Sequence, residues 1–157
     1  MVGPVFFDTT VLLEGLIDLG ARTAPAQRAM DAVAARRVAR AHTAWHCCLE
    51  FYSVSTRLPA EMRLTPADAL QLIEQEILPR FQVHQLPPDR AASFLQWAAR
   101  EGTVGGRIYD AHIAEIARHA RARIVVTGNR RHFMALLAHG IRVLTADEFV
   151  GEVRSRR

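Results

Sequence analysis

Three carboxylates stand in surroundings unlike those of ordinary surface charges: Asp8 in VFFDTTVLL, Glu50 amid Cys47, Cys48, Leu49, Phe51 and Tyr52, and Asp110 after Arg107, Ile108 and Tyr109. Glu74 and Glu76, by contrast, stand with Gln75 in a polar triplet. An ionised carboxylate taken out of water without a partner is so costly that it finds one or takes up a proton. An ordinary solution is a helix cap or an ion pair. The chemical alternative is that three carboxylates share one crevice, where their mutual repulsion calls for a cation. Oxygen-only ligation selects Mg2+ or Mn2+ over zinc.

Other candidate groups carry less. His42 and His46 have the i,i+4 spacing of a zinc pair, but Thr43, the expected N-cap of a helix from Ala44 to about Arg57, lies between them. Gly105 and Gly106 have no GK[ST] after them, so they read as a tight turn rather than a phosphate loop. A phosphatase of the DxD type also opens with an aspartate after an apolar strand. Here Thr10 stands at its second acid and the chain has no lysine to meet a phosphate. Trp45 and Trp97 suit core or partner contacts.

At 157 residues the chain is expected to form one domain, residues 1–157, that folds without disulfides or structural metal. Cys47 and Cys48 lie side by side in an apolar segment and read as small buried hydrophobes, in keeping with a reducing cytoplasm. Asp8, Glu14 and Asp18 interrupt the N-terminal apolar run, so no spanning helix or signal segment is expected and the protein reads as soluble. The formal charge is +4, with every side-chain cation an arginine. Arginine suits bidentate phosphate contact. The clusters Arg36, Arg37 and Arg40, then Arg118, Arg121, Arg123, Arg130 and Arg131, then Arg154, Arg156 and Arg157 suit a polyanion or equally a solvated face.

The elements that must position these groups alternate. Strands are expected at Val5 to Phe7, Val38 to His42, Phe81 to Leu86, Arg123 to Val126 and Ile141 to Leu144. Helices are expected over Thr10 to Leu19, Thr23 to Arg37, Ala44 to Arg57, Thr65 to Leu78, from Pro88, over Arg107 to His119 and Arg131 to His139, and from Ala146. Such alternation implies an α/β fold with a parallel sheet covered on both faces. Function then belongs beyond the carboxyl ends of the strands, near a switch in strand order, with Asp8 just past the first strand and Thr127 and Asn129 just past the fourth.

The segments VFFDTTVLL, TAWHCCLEFYSVSTR, GGRIYDAHIAEIA and VVTGNRRHF resemble, in order, the four signature segments of PIN-domain nucleases, and closely resemble the VapC-type toxins of toxin–antitoxin pairs. The resemblance implies an α/β/α sandwich around a five-stranded parallel sheet, metal-dependent ribonuclease activity on RNA, frequent homodimers, and an antitoxin that blocks the active site. Asp8, Glu50 and Asp110 match the family's acids and the expected Mg2+ or Mn2+ ligands; Thr127 and Asn129 match the polar residues that orient acids and bound water. Thr10 stands where the family often has Asn. TGNRRHF offers Asn129 and His132 where many members place a fourth acid, and His132 reads as a partly exposed helix histidine rather than a metal ligand or RNA contact. A non-enzymatic domain that binds RNA or antitoxin without turnover is the competing expectation.

Overall fold

The computed structural model describes residues 1–156. Five short strands, β1 (Val5–Phe7), β2 (Ala41–Ala44), β3 (Gln82–His84), β4 (Ile124–Val126) and β5 (Arg142–Leu144), form one sheet in the order β3-β2-β1-β4-β5. All four pairings are parallel. The helices between them are α1 (Thr9–Leu16), α2 (Ala24–Ala34), α3 (Trp45–Ser55), α4 (Pro66–Leu72), α5 (Pro88–Arg100), α6 (Arg107–His119) and α7 (Ala146–Ser155). The chain winds outward from β1 through β2 to β3, then returns to build β4 and β5 on the other side. The order therefore reverses between β1 and β4, which is where a parallel sheet opens its crevice.

The central strands are buried on both faces, which is why Val5, Phe6, Phe7, Ile124, Val125 and Val126 read as continuous apolar runs. The Phe7 ring meets Phe81 and Phe149 edge-on, at centroid distances of 5.4 and 5.5 Å. Cys47 and Cys48 are free and buried, with thiols pushed up by burial to about 12 and about 11, so they remain protonated and inert. Among the described residues no helix is long and apolar enough to cross a membrane.

The structure corrects two linked expectations. The second strand occupies Ala41–Ala44, not Val38 to His42, because pairing rather than local composition decides it: Val5 and Phe6 align with Ala41 and His42, while His42, Thr43 and Ala44 align with β3. Val38 makes only an isolated bridge to Val2. Thr43 is consequently a buried strand residue, not a helix cap; its hydroxyl donates to the Phe7 carbonyl at 2.9 Å, and Ala44 is the N-cap of α3. His42 and His46 thus fall on different elements with different partners, His42 Nδ1 lying 2.8 Å from His84 Nε2 and His46 Nδ1 2.8 Å from His112 Nδ1.

Two helices differ in winding. Past Leu72, α4 continues as a wider turn over Ile73–Ile77, where the Leu78 N–H reaches the Ile73 carbonyl and Ile73 and Ile77 both turn inward. The segment Arg130–His139 is wound as a 3-10 helix, whose three residues per turn stack buried Phe133 directly over buried Leu136. Gly140, at φ 72°, closes it.

The placement of α1 depends on Gly15, where an added Cβ would lie 2.3 Å from Met30 Cγ and 3.0 Å from the Ala26 carbonyl oxygen of α2. In an open helix Gly→Ala stabilises by about 0.5–1 kcal/mol. At this crossing Gly15→Ala is expected instead to destabilise by about 1–3 kcal/mol through overpacking, read from the urea midpoint.

Candidate active site

The β1–β4 ladder runs one residue beyond Phe7, with the Asp8 N–H donating to the Val126 carbonyl at 3.0 Å, so Asp8 stands at the switch point. It is also the N-cap of α1, and its side chain is only 3% exposed. Three donors converge on it. The Thr9 N–H reaches Oδ1 at 2.7 Å, and the hydroxyls of Thr127 and Thr10 reach Oδ2 at 2.7 and 3.3 Å. Thr127 is fixed in turn by its own N–H on the Leu144 carbonyl and by the Asn129 N–H on its hydroxyl oxygen at 3.0 Å.

These donors do not fully compensate burial. Desolvation pushes the Asp8 carboxyl up to about 6, with Glu50 and Asp110 adding repulsion that the bonds from Thr127 and Thr9 only partly offset. Asp8 makes no ion pair among the described residues.

The other two acids approach from helices. Glu50, on α3, accepts from the Thr9 hydroxyl at 2.9 Å and lies 3.7 Å from His46 Nε2, which continues to His112 on α6. Asp110, in the first turn of α6, holds His132 Nδ1 at 2.7 Å. The acids therefore act on one crevice, but each has its own protein partner. No group of three His, Cys, Asp or Glu side chains among the described residues forms a ready-made metal cluster.

The donor set nevertheless fits a hard cation. It consists of carboxylate oxygens, one of them buried and short of positive charge, and Mg2+ in particular keeps several waters rather than needing a closed protein cage. Asp8 with Asp110 would hold such an ion, with Glu50 beside them.

Sequence reasoning missed two contributors: Thr9 ties Glu50 to the Asp8 loop, and His132 is a direct partner of Asp110 rather than an isolated helix histidine. Thr10, at the position where the family often has Asn, hydrogen-bonds within the site and also accepts from the Gly128 N–H at 2.8 Å. TT directly after the acid was the available signal for Thr9. Asn129 enters differently from expectation, through its backbone N–H; its side chain makes no hydrogen bond among the described residues.

A family model of the PIN domain matches residues 4–131. Ribonuclease VapC27 of Mycobacterium tuberculosis is 34% identical over 131 residues, 83% of this chain and 88% of that protein. The chain belongs to the PIN-domain family. Within that family its likeness is to the VapC-type toxins, and solved structures share its fold. FitAB bound to a DNA fragment superposes with a TM-score of 0.62 at 19% identity, over 90% of this chain and 94% of the other. DNA-bound VapBC from Salmonella typhimurium gives 0.60 at 22%, over 90% and 97%. VapC20 of Mycobacterium tuberculosis, a toxin described as cleaving the sarcin-ricin loop, gives 0.58 at 16%, over 77% and 86%.

Because the folded pKa of Asp8 lies above its unfolded value, the ionisation penalty is absent below about pH 4 and complete above about pH 6. Asp8→Asn is expected to stabilise the metal-free protein at pH 7 by about 1–3 kcal/mol in urea unfolding, the upper end being the whole penalty. His42 opposes this on acidification, since burial and the neighbouring His84 and Arg40 lower it to about 4 and its stability contribution falls as pH drops below 6.5. Without the Asp8 counterweight, the variant should lose more stability than the wild type between pH 7 and pH 5.

Proposed function

We propose that this protein is a divalent-metal-dependent endoribonuclease, the toxin of a toxin–antitoxin pair, hydrolysing RNA phosphodiesters. The observation that carries the reading is Asp8: a buried carboxylate at the strand switch, short of positive charge, with Glu50 and Asp110 directing further negative charge at it. The 34% identity to a ribonuclease over most of both chains supports the same chemistry.

Asp8 and Asp110 would hold Mg2+ or Mn2+, with Glu50 completing the site. When bound, the ion supplies an activated water and charge stabilisation for an in-line displacement at phosphorus. Thr127 and Thr10 orient the Asp8 carboxylate by donating to Oδ2, and Asn129 fixes Thr127 through its backbone. Thr9 fixes Glu50, leaving its second oxygen free to accept a proton from water. His132 restrains the Asp110 carboxylate through Oδ2.

The partner reading rests on exposed apolar side chains, Trp45, Leu49 and Tyr52 on α3 and Leu70 on α4, which offer contact surfaces for an antitoxin and for a second copy in a homodimer. The VapBC and FitAB assemblies share the fold, which is consistent with such a partner. The free buried cysteines suit action in a reducing cytoplasm.

The test is incubation of purified, antitoxin-free protein with a mixed structured RNA pool in Mg2+, Mn2+ or EDTA, with Asp110→Asn alongside. Cleavage should require the metal and fall at least about 100-fold in the variant, as expected when several kcal/mol of charge stabilisation is removed. Metal binding has its own readout: Mn2+ should raise the thermal midpoint of the wild type and leave that of Asp8→Asn unmoved. Cleavage in EDTA that is unaffected by Asp110→Asn sinks the mechanism.

A further inference from the structure

The crevice continues on the Asp110 side into a cavity of about 670 Å³ between the C-terminal end of α5, the first turns of α6 and the Arg130–His139 segment. Asp110 and His132 line it, Arg107 and Arg131 reach it from two different elements, and Trp97 and Glu101 line it from the C-terminal end of α5. A second cavity of about 440 Å³, reached on the Glu50 side, is bounded by Trp45, Leu49, Tyr109 and Ile116 and offers no arginine. The two sides of the site are thus chemically unequal.

Within the larger cavity the charges sort themselves. Arg118 is engaged by Glu115 at 2.8 Å, and Glu115 faces Arg90 as well at 3.6 Å, so both of these guanidinium groups already share a carboxylate. Arg107 and Arg131 are exposed and make neither an ion pair nor a side-chain hydrogen bond among the described residues. Two unengaged guanidinium groups beside a phosphodiester-cleaving site are suited to bidentate phosphate contact. Trp97 is 45% exposed, a large indole left open to solvent although Phe94 backs it at a centroid distance of 6.0 Å and an interplanar angle of 31°. An indole supported on one side and open on the other is a platform for a base, and stacking of this kind tolerates any sequence. Glu101, one helical turn beyond Trp97, has no ion pair among the described residues and can accept from base N–H groups.

We infer that this cavity is the track for the single-stranded RNA flanking the cut, with Arg107 and Arg131 on consecutive phosphates and an unstacked base on Trp97. The inference rests on the nuclease reading for its substrate class. It explains why arginine and an exposed aromatic residue meet only on the Asp110 side, and it assigns the smaller apolar cavity no part in holding the strand.

The experiment measures binding of a short fluorescein-labelled single-stranded RNA in EDTA, across a salt series, to the wild type and to Trp97→Ala, Trp97→Phe, Trp45→Phe, Arg107→Gln and Arg131→Gln. Trp97→Ala should weaken binding by roughly 5- to 150-fold, with Trp97→Phe recovering most of it. Each arginine variant should reduce the slope of log affinity against log salt by about 0.7, the value of one single-strand phosphate contact. Intrinsic tryptophan fluorescence should be quenched by unlabelled RNA in the wild type and Trp45→Phe, and not in Trp97→Phe.

Unchanged affinity and salt slope in the Trp97 and arginine variants would overturn the track, whether or not RNA is cleaved, and would leave the cavity to a protein segment. Loss of binding in these variants, from a wild type that binds RNA yet never cleaves it with metal, would uphold the track while the nuclease reading fails. Circular dichroism of each variant separates loss of binding from loss of fold.

Discussion

A carboxylate that must be both buried and available governs this structure. Asp8 is carried out of solvent by β1, whose flanking strands cover it on both sides, and the cost of that burial exceeds what two threonine hydroxyls and one peptide N–H return. The surrounding architecture is organised around the imbalance. The Thr9 and Thr10 side chains from α1, Thr127 from the end of β4 and Glu50 from α3 all converge on the same few ångströms, and each is held by a further contact of its own. Burial leaves Asp8 with an unmet demand for positive charge at the crevice, an arrangement common at functional sites.

The strand order makes the convergence possible. Because β1 lies at the centre with β2 and β4 on either side, residues far apart in sequence, such as Asp8 and Thr127, become neighbours at the carboxyl edge. The two remaining acids come from helices on either side and are restrained separately, Glu50 by Thr9 and Asp110 by His132. Separate restraint keeps the carboxylates from collapsing into a protonated pair. It also divides the mouth of the site into a largely apolar side near Glu50, without arginine, and a side near Asp110 where arginines gather.

Much of this was legible along the chain. The unbroken runs Val5 to Phe7 and Ile124 to Val126 identified central strands, and α6 occupies the expected Arg107 to His119. The unusual surroundings of Asp8, Glu50 and Asp110 marked the acids. The illegible parts were those in which a residue's role is set by a partner distant in sequence. Thr43 has every local property of a cap, yet the Phe7 carbonyl claims its hydroxyl once β2 pairs with β1. His132 looked like a helix-surface residue until α6 brought Asp110 to it across 22 positions.

The sequence by itself determined the alternation of elements, the parallel sheet and the chemical identity of the acids, because hydrophobic period and residue type are local properties that the chain carries whatever its conformation. The tertiary structure alone decided the register of β2, the pairing of each acid with its restraining group, and the unequal character of the two sides of the crevice. Those features depend on distances between segments, and a distance across the fold is fixed only when strand pairing and helix packing have both been satisfied.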